Sequence, residues 1–164
     1  MEDIIKWNNL RRVLGEFAQE LRNRYQDNLI RDNKIATGNL LNSVEYKVDF
    51  DDRSIWVELH LEDYYKWVEE GRGPGKYPPP DKILEWIRWK PIVPDDRQGT
   101  GKLPTEKQLV YLISRKIAEN GIEPGHQLRD AMNDIYAEFE ERIDDAIAMD
   151  INDAVEVIFS SFFN

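Results

Sequence analysis

Residues 71 to 80 place three glycines and four prolines in ten positions, Gly71-Arg72-Gly73-Pro74-Gly75-Lys76-Tyr77-Pro78-Pro79-Pro80. No regular element passes through such a run. Glycine admits positive φ and costs entropy in helices and strands, whereas proline fixes φ and removes an amide donor. The chain must therefore end one element near Gly71 and begin another near Pro80, where a proline in the first helical turn sacrifices no hydrogen bond. Ile83, Trp86 and Ile87 then lie on one face of a helix from about Pro80 to Lys90, stopped by Pro91. Between the two ends the loop is shaped rather than slack, with Tyr77 and Lys76 held outward.

Gly-Arg-Gly-Pro-Gly-Lys invites comparison with phosphate-binding loops, and the spacing decides against it. A Walker loop needs glycine five residues before Gly75 and Ser or Thr after Lys76, where Glu70 and Tyr77 stand. Gly71, Gly73 and Gly75 are spaced by twos, which also departs from the dinucleotide fingerprint. Gly99-Thr100-Gly101-Lys102 fails the same tests. Both segments read as structural loops.

Around this loop the apolar period changes three times. Leu10, Val13, Leu14, Phe17, Leu21 and Leu29 recur at three and four, predicting one long amphipathic helix from Glu2 to about Ile30. Thr37-Gly38 follows as a turn. Val44, Tyr46, Val48 and Phe50, then Ile55, Val57, Leu59 and Leu61, alternate with polar residues and predict an antiparallel hairpin with one buried face. Trp56 falls on its other face, so that face is expected to be covered by another element or a neighbouring subunit. Asp63 to Glu70 predicts a short aromatic helix or strand extension ending at Gly71.

Residues 92 to 104 lack periodicity and predict an exposed loop. Thr105 and Gln108 have capping-box spacing before a helix with Leu109, Leu112, Ile113 and Ile117 on one face, and Asn120-Gly121 supplies its left-handed stop. A second long helix carries Leu128, Ala131, Met132, Ile135, Phe139 and Ile143 with an acidic outer face. A break is expected at Asp150 to Asp153, before a last apolar segment with Val155, Ile158, Phe159 and Phe162, helical in best fit although a strand is also compatible.

The expected fold class is α+β, with a long N-terminal helix and C-terminal helices packed on a small antiparallel sheet, a Gly/Pro-rich loop and inserted short helices. At 164 residues the expected organisation is one domain over 1–164, with an inserted loop-helix region at about 72–104 and a C-terminal helical extension at about 150–164. The formal net charge of −10 argues against direct binding to nucleic acid or an anionic membrane. The absence of cysteine removes disulfides, thiol nucleophiles and thiolate metal sites and suits a reducing cytosol. No secretory signal and no membrane span is visible, so a soluble intracellular protein is expected.

Catalytic constellations are not apparent. His60 and His126 lack metal-ligand spacing, and no serine sits in a nucleophile turn. Asp49-Phe50-Asp51-Asp52 lacks the central glycine of a calcium loop. The run Glu138, Glu140, Glu141, Asp144 and Asp145 reads as a solvated helix face. No enzymatic activity, metal or cofactor is expected.

Aromatic residues flank the loop on both sides. Trp56, Trp67, Tyr77 and Trp89 suit either core packing or an interface, since large rigid rings bury area at low entropic cost. The candidate interface comprises Trp56, Trp67, Arg72, Lys76, Tyr77, Pro78, Pro79, Pro80 and Trp89, with Phe159, Phe162 and Phe163 at the C-terminal end. Thr37, Gly38, Gly71, Gly73, Gly75 and Gly121 are candidate turn residues.

The order of three short motifs resembles the tailed-bacteriophage neck proteins, variously called head-tail joining, tail-completion or minor tail proteins. Thr37, Gly38, Leu40 and Ser43 match a Thr-Gly-x-Leu-x-x-Ser turn. Tyr64, Val68, Glu69 and Gly71 match a Tyr-x-x-x-Val-Glu-x-Gly segment, and Leu128 with Ala131 match a late helix start in which Gln127 replaces a common phenylalanine. The resemblance spans roughly residues 35 to 135. It implies a structural virion protein without catalysis, assembled in the host cytoplasm as a homo-oligomeric ring in the head-tail connector. Its implied partners are copies of itself, portal or adaptor proteins and tail proteins, with DNA passing nearby but not specifically bound. A tail terminator is the alternative structural reading. An acidic host-interaction module and a metal-dependent hydrolase are readings from other classes.

Overall fold

The computed structural model describes residues 5–34, 38–51, 54–62, 64–90, 92, 101 and 103–162. It contains six helices and one hairpin among those residues: α1 (Asn8–Arg31), α2 (Asn39–Ser43), β1 (Glu45–Phe50), β2 (Ile55–His60), α3 (Tyr65–Glu69), α4 (Pro80–Trp89), α5 (Glu106–Asn120) and α6 (Gln127–Phe162). The fold is the expected mixture of long terminal helices and a two-stranded antiparallel sheet. Contacts divide the chain into two units. One comprises Met1–Asn28, Val44–His60 and Leu128–Asn164, and the other Leu29–Ser43 and Leu61–Gln127.

In the first unit, α1 buries Leu10, Val13, Ala18, Leu21 and Tyr25, and α6 buries Ala131, Ile135, Phe139, Ala146 and Ala154. Three cross-contacts fix the two helices as antiparallel. The Phe17 and Phe139 rings meet edge-on with centroids 5.4 Å apart, Arg142 pairs with Glu16, and Asp150 reaches the start of α1. The expected hairpin forms, with Tyr46, Val48 and Phe50 opposite Leu59, Val57 and Ile55 on one face, which is half-buried rather than buried. The Arg11 guanidinium lies 4.0 Å from the Phe50 ring centroid. Trp56, on the other face, is half-buried and donates its indole N–H to Glu58 Oε1 at 3.0 Å, so this hairpin supplies its polar partner itself.

The break expected at Asp150 to Asp153 does not occur, and neither does a terminal strand: α6 runs unbroken through this stretch. The reason is tertiary. Asp150 is 1% exposed and accepts the backbone N–H of Asn9 (2.9 Å), the Asn9 Nδ2 (2.9 Å) and the backbone N–H of Leu10 (2.9 Å). The first N–H groups of a helix have no intrahelical acceptor, and this carboxylate from α6 satisfies two of those of α1. Its negative charge also sits at the favourable end of the helix dipole.

In the second unit α4 packs on α5. Thr105 and Gln108 form the expected reciprocal capping box of α5. The buried face of α5 is rotated from expectation. Leu112 is 45% exposed, whereas Ser114 is buried at 4%.

Candidate docking surface

The Gly/Pro loop is held by backbone hydrogen bonds to the segment that follows α5. Arg72 and Ile122 exchange N–H to carbonyl bonds of 2.8 and 2.7 Å, Gly75 N–H donates to Ala118 O at 2.8 Å, and Gly125 N–H donates to Val68 O at 3.0 Å. Two glycines make this approach feasible. Gly71 (φ 67°) and Gly121 (φ 77°) both adopt left-handed backbone, and a Cβ on either would overlap the opposite strand: Ile122 O and Pro124 N for Gly71, Arg72 O for Gly121. Arg72 further donates its Nη2 to Lys76 O, closing the turn on itself. The loop is thus ordered by backbone pairing with a segment about fifty residues downstream.

Within this unit, segments of the motif resemblance are hydrogen-bonded to one another. Tyr64 Oη accepts the Leu40 N–H at 2.9 Å, tying the first motif to the second. The carbonyls of Val68 and Glu69 accept the N–H groups of Gly125 and His126, tying the second to the third. Gln127, at the position where phenylalanine is common, is 1% exposed and donates Nε2 to Asp32 at 3.1 Å. Arg31 foremost, and then this Gln127 amide, hold the Asp32 carboxyl below its ordinary pKa range. Thr37 lies outside the described residues.

Tyr77, Pro78, Pro79 and Pro80 form one wall of an open groove of about 720 Å³, completed by Asp81, Leu84 and Arg88 of α4 and by Glu106, Lys107, Val110, Tyr111 and Ser114 of α5. The proline wall is not uniformly outward: Pro78 is buried, while Tyr77, Pro79 and Pro80 are exposed. Arg88 donates to Glu106 at 3.4 and 3.3 Å across the groove's end, an exposed pair of small energetic weight. Ser114 Oγ is buried and has no hydrogen-bond partner.

Other sequence candidates lie elsewhere. Trp67 and Trp89 are 55% and 60% exposed but do not line the groove, and neither do Arg72 and Lys76. A Cβ on Gly73 or Gly75 would meet nothing within 4 Å, and Gly38 opens α2 at φ 79°. Phe159 and Phe162 are 59% and 78% exposed at the end of α6, where every residue from 155 to 162 is exposed, Val155, Val157 and Ile158 among them. Phe163 lies outside the described residues. The groove residues of α4 and α5 were missed by sequence reasoning. Their signal is the pair of helical repeats Leu84/Arg88 and Lys107/Tyr111/Ser114, each on one face.

Among the described residues no cluster of three His, Asp or Glu side chains could hold a metal ion, and no helix is long and apolar enough to cross a membrane. No family model matches the chain, and neither a curated protein nor a solved structure matches it.

Proposed function

We propose that the chain is a structural protein of a tailed-phage virion, a ring-forming component of the connector that joins the portal complex to the tail. The observation that carries this reading is the convergence of the three motif segments. Leu40 bonds to Tyr64, and Val68 and Glu69 bond to Gly125 and His126 just before α6, although these residues are distant in sequence. Residues that share a structural role are a stronger basis for the resemblance than three short motifs taken separately.

The assembly half of the reading is supported by apolar surface. Two helical turns at the end of α6 expose Val155, Val157, Ile158, Phe159 and Phe162, and the groove exposes Tyr77 and Tyr111. Contiguous apolar patches of this kind mark interaction sites on soluble proteins. A ring is the closed form of a head-to-tail contact between unlike surfaces.

The test is assembly. The purified protein is expected to give one closed oligomer by native mass spectrometry and to bind portal-bearing, tailless capsids. A protein that stays monomeric at every concentration and ignores such capsids would overturn the reading.

A further inference from the structure

We infer that the groove between α4 and α5 is a binding site for an uncharged small molecule with a flat apolar body and one carbonyl group, which accepts a hydrogen bond from the Ser114 hydroxyl. Ser114 is the reason to expect a ligand at all. It is 4% exposed and belongs to the groove lining, yet its Oγ has no hydrogen-bond partner. Buried hydroxyls are normally satisfied, and a serine inside a helix can bond back to the carbonyl one turn earlier. Here that bond is not made. Alanine would serve this buried position of α5 equally well unless the hydroxyl answers a group from outside the chain. Serine carries one donor and two acceptor positions, and orphaned donors are the rarer defect in buried settings, so the missing partner is an acceptor.

The groove is braced rather than slack. Its wall has φ fixed at three successive residues, Pro78, Pro79 and Pro80. The loop that carries this wall is bonded to α5 by Gly75 N–H donating to Ala118 O at 2.8 Å, and Arg88 of α4 pairs with Glu106 of α5 at the groove's end. A preformed site lowers the ordering cost of binding. Its volume of about 720 Å³ lies within the roughly 300–1,000 Å³ of small-molecule sites.

Charge sets the ligand class. Asp81 and Glu106 stand against Arg88 and Lys107, two charges of each sign, and Arg88 is already paired with Glu106. Neither an anion nor a cation is favoured. Leu84, Val110 and the prolines supply apolar surface, and the rings of Tyr77 and Tyr111, both more than half exposed, suit the face of a flat molecule. The inference goes beyond the assembly reading and does not rest on it: a ligand titration reads the site in a monomer as well as in a ring.

The experiment titrates acetophenone and ethylbenzene, a pair that differs by a carbonyl in place of a methylene, into isotope-labelled protein followed by NMR. Acetophenone is expected to shift the amides of Leu84, Val110, Tyr111 and Ser114 saturably, and the charged analogues benzoate and benzylamine to bind more weakly. Ser114→Ala removes only an unpartnered hydroxyl and should keep the parent's melting temperature. In that variant the acetophenone-to-ethylbenzene affinity ratio should fall roughly three- to tenfold, the loss of one hydrogen bond. Taking the ratio cancels any general change in the groove. No saturable shift at those amides with acetophenone overturns the site. A ratio unchanged in Ser114→Ala overturns the part played by the hydroxyl, and tighter binding of benzoate or benzylamine than of acetophenone overturns the uncharged class.

Discussion

The two units solve the problem of order in different ways. Of the fifteen buried apolar side chains among the described residues, eleven belong to the unit built from α1, the hairpin and α6, and only Leu29, Leu40, Pro78 and Ile87 to the other. The first unit is held by side-chain burial, which is non-directional and scales with area. The second is laced by backbone hydrogen bonds between loops, bonds that depend on two glycines at close approach. A burial-held unit tolerates local change as long as volume is kept, whereas a unit held by backbone pairing depends on a few dihedral angles.

Substitutions should reveal that contrast, the largest effect first. Leu21→Ala removes a side chain that is 1% exposed and should cost about 2–5 kcal/mol. In a chain of this size each kcal/mol lowers the melting temperature by roughly 2–4 °C. A melting temperature unchanged within a degree would mean the first unit is not held by burial.

Gly121→Ala adds a methyl group into the Arg72 carbonyl at positive φ, at a cost of about 1–3 kcal/mol. Its signature should be local, with faster hydrogen exchange at Arg72, Gly75 and Ile122 while amides of the first unit stay protected. Uniform loss of protection would erase the proposed distinction between the units.

Asp150→Ala removes three acceptor contacts at a buried helix start and should cost about 1.5–3 kcal/mol. Fraying confined to the first turn of α1 is the expected exchange pattern. Thr105→Ala deletes the capping box of α5 and should cost about 1 kcal/mol, read as a small shift in urea midpoint that Thr105→Ser largely avoids.

The smallest effect is electrostatic. The Asp32 carboxyl has a lowered pKa when folded, so its contribution is fully present above its unfolded value of about 3.9 and is lost as pH falls through the lower folded value. For so exposed a pair the contribution stays under about 1 kcal/mol. Parent and Asp32→Asn should therefore differ slightly at pH 6 and converge as the pH falls through the lowered folded value. A difference that grows on acidification would reverse the sign.

Much of the fold was legible because periodicity and capping are local. The stripes of α1 and α6, the hairpin and the Thr105/Gln108 box all follow from residues within one or two turns of each other. The continuity of α6 did not, because Asp150 looks like a helix breaker until its partners, some 140 residues away, are known. The burial of Pro78 and Ser114 and the exposure of Leu112 were equally invisible, since they depend on how α4 and α5 face each other. The groove itself joins residues from the proline run to Ser114, a combination that no single stretch of sequence displays.

Asp150 does more than quiet the amides of α1. It sits at the root of the two projecting turns of α6 and acts as the pivot of a short lever. Over an arm of about 12 Å, a tilt on the order of 10° at that pivot moves the tip by about 2 Å. A buried carboxylate near the start of α1 would in this way set how precisely the exposed Phe159 and Phe162 side chains are aimed.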